Sequence, residues 1–257
     1  MVAAQWRDEA GTQNLFSPAP LAVRWRPADT PVTDHGDNVG GALAGRSDEP
    51  ARLAAAFRAL PHRRLVVLGD PGAGKTTLAM LLVLALLDDA ADPASEEPVP
   101  VLLSVASWNP HREHPRTWLT RRLREDYPGL ADPSRRVDAA ERLVTEHRVL
   151  PVLDGLDELP APRRVTALAA LNRSLLPGDP LVLTCRSSEY AVTVEAGEML
   201  RLAAAVQAQP VRPEDALAHL QAAVPPHRLP AWQPVFNQLL ADADAPVTAT
   251  LSTPLAV

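Results

Sequence analysis

The sequence predicts an α/β protein, a three-layer αβα sandwich in which helices cover both faces of a mainly parallel five-stranded sheet. Short β-branched apolar runs alternate with helical stretches, which is the pattern of parallel βαβ units. The 257 residues are 46% hydrophobic with a formal net charge of -6, a composition typical of a folded globular chain. The longest apolar run, within residues 78–87, is far shorter than the ~20 residues of a membrane span, so no span is expected.

The predicted elements follow one another along the chain. Each strand is an apolar run: residues 64–68, 99–105, 149–153, 181–184 and one within 202–211. Leu53, Phe57 and Leu60 fall on one face of the first predicted helix, and Pro61 follows it. The predicted helices cover residues 49–60, 76–88, 116–126, 135–146, 162–175, 213–223 and 232–241. Helix 76–88 is apolar on nearly every side, which predicts that it lies within the core.

A glycine-rich motif joins the first of these strands to helix 76–88. It fits the pattern G-x-x-x-x-G-K-[ST], and its residues are Gly69, Asp70, Pro71, Gly72, Ala73, Gly74, Lys75, Thr76 and Thr77. Glycines let the backbone turn its N–H groups around a phosphate, and the start of the helix adds further donors. Lys75, the single lysine of the chain, is predicted to contact the β- and γ-phosphates, and Thr76 to bind Mg²⁺. The sequence therefore predicts binding of a nucleoside triphosphate.

A second motif follows the apolar strand 149–153, which ends in Asp154-Gly-Leu-Asp157-Glu158. An acidic residue at the end of a buried strand holds the magnesium shell in P-loop enzymes. We assign Asp154 to Mg²⁺, through water, and treat Asp157 and Glu158 as candidates to orient and deprotonate the attacking water. Strand 99–105 falls between the two motifs, which predicts the additional-strand (AAA+-like) branch of P-loop NTPases.

Polar residues also end the strand at 181–184, where the chain continues as Cys185-Arg186. Ligands bind at this carboxyl edge in open α/β sheets, so Arg186 is a candidate to contact the γ-phosphate. Cys185 is the single cysteine of the chain, and no nearby histidine would activate it. We interpret it as a small buried residue. A chain that cannot form an intrachain disulfide fits a reducing, cytoplasmic compartment.

Together these motifs resemble the NACHT family, signal-transducing P-loop ATPases that include animal NOD-like receptors and many bacterial proteins. The similar segments are residues 69–77, 153–158 and 183–190, with a looser match at 45–49. Residues 251–255 resemble the family's proline motif, which implies that Pro254 lies near the adenine and diphosphate. The resemblance implies an ATP/ADP switch with Mg²⁺, in which ATP binding drives self-oligomerisation, slow hydrolysis resets the protein, and bacterial members often act in antiviral defence.

The resemblance also suggests a division of the chain. Residues 1–48, rich in proline and glycine, are predicted to be a partly ordered N-terminal extension or linker with a strand-like piece at 21–25. Residues 49–212 would form the NACHT nucleotide-binding domain. Residues 213–257 would form a helical subdomain and the truncated start of a winged-helix region. Because the sequence ends in mid-pattern, we expect a longer protein with effector and sensor domains in the flanking sequence.

Other function classes have weaker support. A GTPase would need an Asn-Lys-x-Asp motif, and an ABC ATPase a Leu-Ser-Gly-Gly-Gln signature; neither occurs in the sequence. A small-molecule kinase remains an alternative function. Its lid would be the cluster of Arg121, Arg122 and Arg124, which we otherwise interpret as the solvated face of a helix. A nucleotide-binding scaffold that never hydrolyses also stays open, although the Asp157–Glu158 pair argues against it. The net negative charge argues against direct nucleic-acid binding, and His111 and His114 lack a third metal ligand nearby.

Overall fold

The computed structural model describes residues 2–12, 20–29, 32–40, 43–89, 97–130, 138–241 and 246–254. Its centre is one seven-stranded sheet in the order β2-β1-β7-β3-β6-β5-β4. The strands are β1 (Arg24–Pro27), β2 (Gly45–Arg46), β3 (Arg64–Leu68), β4 (Val99–Ser104), β5 (Val149–Asp154), β6 (Leu181–Cys185) and β7 (Ala204–Ala208). Strands β3 to β7 are parallel to one another, which confirms the predicted α/β fold with a mainly parallel sheet.

The order of the parallel strands brings the two sequence motifs close together. Strand β3 leads into the glycine-rich loop and β5 ends at Asp154, and β6 lies between them. Strand β4, which lies between the two motifs in the sequence, is at the edge of the sheet. Leu68 pairs with Cys185, and Leu153 pairs with Leu183. Three strand ends therefore meet at one carboxyl edge, with β6 as the middle strand.

Helices cover both faces of the sheet in the described part of the chain. They are α1 (Val2–Thr12), α2 (Gly36–Val39), α3 (Pro50–Arg58), α4 (Lys75–Asp89), α5 (Pro115–Asp126), α6 (Ala139–Thr145), α7 (Ala161–Ser174), α8 (Ser187–Glu195), α9 (Pro213–Ala223), α10 (Leu229–Ala241) and α11 (Pro246–Thr250). Successive residues of β3 point to opposite faces: Val66 belongs to the apolar cluster on one face, and Val67 to the cluster on the other face. None of the described helices combines the length and apolar content that a membrane crossing requires.

The observed elements agree with most of the predicted ones and add several. Helix α4 extends the predicted helix 76–88 by one residue at each end, and its side chains from Leu78 to Leu84 are all buried, as predicted. Helix α6 covers part of the predicted helix 135–146, whose first residues fall in the range 131–137 outside the described residues. Helices α1 and α8 were not predicted, because neither shows a continuous apolar stripe in the sequence.

The segment predicted as a partly ordered extension contributes to the sheet. Strand β1 pairs antiparallel with β7 on one side and with β2 on the other. Trp25 of β1 is only 1% exposed and packs in the same cluster as Phe57 and Val67. The two strands therefore widen the predicted five-stranded sheet to seven strands, while the domain boundary at residue 48 stays a prediction.

Candidate functional site

The glycine-rich loop makes a tight turn between β3 and α4. Gly72 and Gly74 have positive φ values of 77° and 82°, a backbone conformation that favours glycine. At Gly69 a side chain would meet Ala208 and Ala73 at 3.0 Å from its Cβ, so the loop also needs a small residue at its first position. Helix α4 begins directly after the turn, and its first N–H groups face the loop. The loop thus has the backbone geometry that suits a phosphate.

Lys75 points its ammonium group back along the loop. Its Nζ donates to the carbonyl oxygens of Gly69, at 2.9 Å, and of Asp70, at 3.1 Å. The side chain is half-buried, whereas Asp70 and Pro71 are exposed. An ammonium group has three donors, so one donor of Lys75 remains for an anion at the loop.

Asp154 lies opposite the loop and both of its carboxylate oxygens accept hydrogen bonds from threonine. Thr76 donates from Oγ1 to Oδ2 at 2.9 Å, and Thr184 donates from Oγ1 to Oδ1 at 2.5 Å. The Thr184 hydroxyl in turn accepts the backbone N–H of Gly155 at 2.9 Å. The structure therefore brings the predicted metal residues Thr76 and Asp154 into contact. Thr184 was predicted only as part of the polar end of its strand, and its contact with Asp154 was not predicted.

These residues fit a magnesium ion. No group of three or more His, Cys, Asp or Glu side chains in the described ranges could hold a metal. Mg²⁺ does not need such a group, since in nucleotide sites it takes one or two carboxylates, phosphate oxygens and several waters. One carboxylate and one hydroxyl, from Asp154 and Thr76, match that donor set.

The acidic pair lies in a 3-10 turn, Leu156–Glu158, that follows Gly155. Gly155 has a φ of 81°, and a Cβ placed there would lie 2.8 Å from Cδ of Glu158. The glycine therefore makes room for the glutamate side chain to fold back. Glu158 is exposed, and its Oε2 accepts a hydrogen bond from Ser104 Oγ at the end of β4, at 3.3 Å. The sequence interpretation missed Ser104.

Asp157 and Arg186 are joined by two contacts. The backbone N–H of Arg186 donates to Oδ1 of Asp157 at 3.1 Å, and its Nε lies 2.9 Å from Oδ2. The Asp157 side chain is 10% exposed and that of Arg186 is 45% exposed. Both residues were predicted to act in catalysis, but their pairing was not predicted.

Pro254 lies against the glycine-rich loop. Its Cγ is 3.5 Å from the position that a Cβ on Gly74 would take. A cavity of about 380 Å³ is lined by residues that include Pro254 and Lys75, together with Gly72, Gly74, Thr76 and Thr77. Ser252 accepts a hydrogen bond from the backbone N–H of Val211, at 2.8 Å, and this contact ties the segment to the end of the sheet. The structure thus brings Pro254 to the loop; its contact with a nucleotide stays a prediction.

Cys185 lies beneath the site and is fully buried. Burial and the nearby negative charge of Asp157 raise the pKa of its thiol to about 12. A thiol with so high a pKa carries almost no thiolate near neutral pH, so it does not act as a nucleophile.

The predicted helix face on α5 also agrees with the structure. The guanidinium groups of Arg121 and Arg122 pair with Glu125 of the same helix, and Arg122 also pairs with Asp126. Arg124 pairs with Asp138. His114 Nδ1 accepts the backbone N–H of Arg116 at 3.3 Å at the start of the helix. These three cations are therefore paired with neighbouring acids.

A glycine-rich loop before a buried helix, and an aspartate at the end of a strand separated from it by one further strand, define a P-loop NTPase. A search with family models matches residues 63–221 to the NACHT domain, more than half of the chain. The chain therefore belongs to the NACHT family, and the resemblance stated from the sequence is confirmed. NACHT domains are nucleotide-binding NTPases, and this coarse function holds for the chain. No curated protein matches the chain.

Proposed function

We propose that the chain is an ATP-binding molecular switch that hydrolyses ATP slowly with the help of Mg²⁺. One observation supports this proposal above the others. The hydrogen bond from Thr76 to Asp154 joins the start of α4 to the end of β5. A phosphate on the glycine-rich loop and a cation on Asp154 would then be neighbours, as nucleotide hydrolysis requires.

Binding depends on the loop and on the residues around it. The backbone N–H groups of Gly72 and of residues 74–77 and the ammonium of Lys75 hold the phosphates, and Pro254 covers the loop from the other side. Thr76 and Asp154 hold Mg²⁺, which when bound neutralises charge on the phosphate oxygens. The chain's own part is to fix these ligands in place before the nucleotide arrives.

Hydrolysis depends on the exposed acidic edge. Of the two carboxylates predicted as bases, Glu158 is the exposed one, and within the described ranges it accepts one hydrogen bond, from Ser104. A base must lie within reach of the water that it deprotonates, and Glu158 meets this condition better than Asp157. We propose that Glu158 accepts the proton and that Arg186 contacts the terminal phosphate.

Family membership supports a proposal for the biological role. We propose that the nucleotide state controls self-oligomerisation and an effector carried by flanking sequence, in a signalling pathway that serves antiviral defence. In this proposal residues 49–212 act as the nucleotide-binding domain, and residues 213–257 act as a helical subdomain leading into a winged-helix region.

Two substitutions test the proposal directly. Lys75→Ala and Asp154→Ala should each lower ATP affinity or turnover by about tenfold or more, since each removes a charged group from the phosphate or metal site. Arg121→Ala is the matched control, because it removes a partly exposed cation from α5, and it should behave as wild type. The proposal fails if both test variants bind and hydrolyse ATP as wild type does. A wild-type chain that binds ATP without phosphate release, with Glu158→Gln indistinguishable from it, would instead favour the non-hydrolysing scaffold.

The single lysine offers a second, independent test. Amine reagents can modify only Lys75 and the α-amino group of the chain, so mass spectrometry of the Lys75 peptide reports on the loop alone. ATP with Mg²⁺ should slow this labelling strongly, and labelling of the α-amino group is the internal control. Equal labelling rates with and without saturating ATP would contradict phosphate binding at Lys75.

A further inference from the structure

The two acidic residues after Asp154 differ in their surroundings, although they are adjacent in the sequence. Both oxygens of Asp157 are bound by a single residue, Arg186, through its backbone N–H and its Nε. Glu158 is exposed and accepts one hydrogen bond, from Ser104. The surroundings therefore separate the pair into a carboxylate that holds an arginine and a carboxylate that faces solvent.

The position of Arg186 follows from the register of the sheet. Leu68, the last residue of β3, pairs with Cys185, the last residue of β6. Arg186 and Gly69 are the next residues on these adjacent parallel strands, so Arg186 leaves the sheet beside the start of the glycine-rich loop. Its backbone is held there by Asp157 and by its place at the start of α8.

The ion pair leaves part of the guanidinium group available. An arginine side chain has five N–H donors, of which Nε carries one and the two terminal nitrogens carry four. Asp157 is paired with Nε, and no other described residue forms a hydrogen bond or ion pair with the guanidinium group. The side chain is 45% exposed, so the terminal nitrogens are accessible to an anionic ligand. A planar guanidinium group that is held at Nε can donate from its two terminal nitrogens to two phosphate oxygens.

We propose that Asp157 is a positioning residue, which holds Arg186 through Nε so that its terminal nitrogens distinguish a nucleoside triphosphate from a diphosphate. This inference rests on the proposed function and refines it. Asp157 acts through Arg186 and does not deprotonate water, whereas Glu158 does. The preference of the protein for triphosphate over diphosphate then depends on Asp157 as much as on Arg186.

The test measures this preference by calorimetry, with Mg²⁺ and either a non-hydrolysable ATP analogue or ADP. Asp157→Asn keeps the size of the side chain and one acceptor but removes the charge that holds Nε. We expect Asp157→Asn and Arg186→Ala each to lower the ratio of the two affinities by about tenfold. The double variant should lower it no further than either single variant, because the two residues act as one unit.

Matched variants separate this role from a structural one. Arg186→Lys should lose the preference as Arg186→Ala does, since an ammonium cannot be held at one nitrogen while it presents two others. Glu158→Gln should keep the wild-type preference while losing hydrolysis. Asp126→Asn, which breaks an aspartate–arginine pair on α5, should keep both.

The outcomes distinguish the inference from the proposed function. Suppose that wild type binds both nucleotides. An unchanged affinity ratio in Asp157→Asn, or additive losses in the double variant, would then overturn the inference and leave the proposed function standing. Retention of the preference in Arg186→Lys would do the same. If wild type binds neither nucleotide, the proposed function fails and the inference fails with it. If Asp157→Asn does not fold, Arg186→Ala and Arg186→Lys still show whether a guanidinium group held at Nε is required for the preference for triphosphate over diphosphate.

Discussion

The Thr184 hydroxyl contacts both Asp154 and Gly155 of the acidic motif, so its removal tests how much these contacts stabilise the site. It donates to Asp154 Oδ1 at 2.5 Å and accepts the backbone N–H of Gly155 at 2.9 Å. The residue is 1% exposed, and Gly155 is buried as well. Thr184→Val replaces the hydroxyl with a methyl group of similar size, so it removes both hydrogen bonds without leaving a cavity.

The loss can be estimated from these two contacts. A hydrogen bond between neutral groups contributes about 0.5–1.5 kcal/mol, and one to a charged group about 1.5–3 kcal/mol. Thr184→Val should therefore lower the free energy of unfolding by about 2–4 kcal/mol. At about 2–4 °C per kcal/mol for a domain of this size, the melting temperature should fall by roughly 4–16 °C.

Thermal and urea unfolding of wild type, Thr184→Val and Thr184→Ser measure this loss. Serine keeps the hydroxyl and loses one buried methyl group, which costs about 0.8 kcal/mol or slightly more, so Thr184→Ser should be the more stable variant. The reasoning is refuted if Thr184→Val lies within about 0.5 kcal/mol of wild type, the range of a neutral surface change. It is also refuted if the two variants are equally destabilised, since the methyl group and not the hydroxyl would then matter.

Three further predictions concern neighbouring residues. Gly155→Ala should lower kcat for ATP by at least about tenfold while ATP affinity is retained. The new Cβ would displace Glu158, and the positive φ would be strained. Unchanged turnover would contradict this prediction. Ser104→Ala should lower kcat with no change in KM, since it frees Glu158 without touching the phosphate loop, and a rise in KM alone would contradict it. The Cys185 thiol should react with a disulfide reagent at pH 8 only as fast as the chain unfolds. Because the pKa of this thiol is raised from 9.0 to about 12, its contribution to the free energy of unfolding should fall as pH rises from about 9 towards 12. Burial also raises the pKa of Tyr127 and Tyr190, so a Cys185→Ala variant should show a smaller fall than wild type over this range, and an equal fall would contradict the prediction.

The sequence predicted the parts of the fold that are encoded locally. The five parallel strands are apolar runs because helices cover both of their faces, and the glycine-rich motif is recognisable because its backbone turns need glycine at fixed positions. Strands β1 and β2 are less marked in the sequence, since the strand-like piece predicted at residues 21–25 overlaps β1 only at Arg24 and Trp25, and β2 has no apolar run. They contain only four and two residues, among them Arg24 and Pro27, and they form by pairing with each other and with β7. Their existence therefore depends on tertiary contacts that a local pattern does not reveal.

The residues of the candidate site likewise fall into those that a local motif predicts and those that depend on tertiary contacts. Lys75, Thr76 and Asp154 were found because each occupies a defined place in a motif. The contacts of Thr184 and Ser104 were not predicted because each is made with a residue of the acidic motif at or after the end of β5, and the order of the strands decides which residue that is. A polar residue that closes an apolar strand marked Thr184 in the sequence, and the same signal marks Ser104 once β4 is seen to end there.

The position of β6 explains why so many contacts of the site depend on one strand end. A strand between β3 and β5 is the only place in this sheet from which one chain segment can contact both motifs. Thr184 contacts Asp154, and Arg186, two residues later, is held by Asp157. Residues 184–186 therefore connect the predicted metal ligand Asp154 to the candidate phosphate contact Arg186 through the geometry of the sheet. A change at this strand end should alter metal binding and phosphate discrimination together, whereas a change at the end of β4 should affect Glu158 alone.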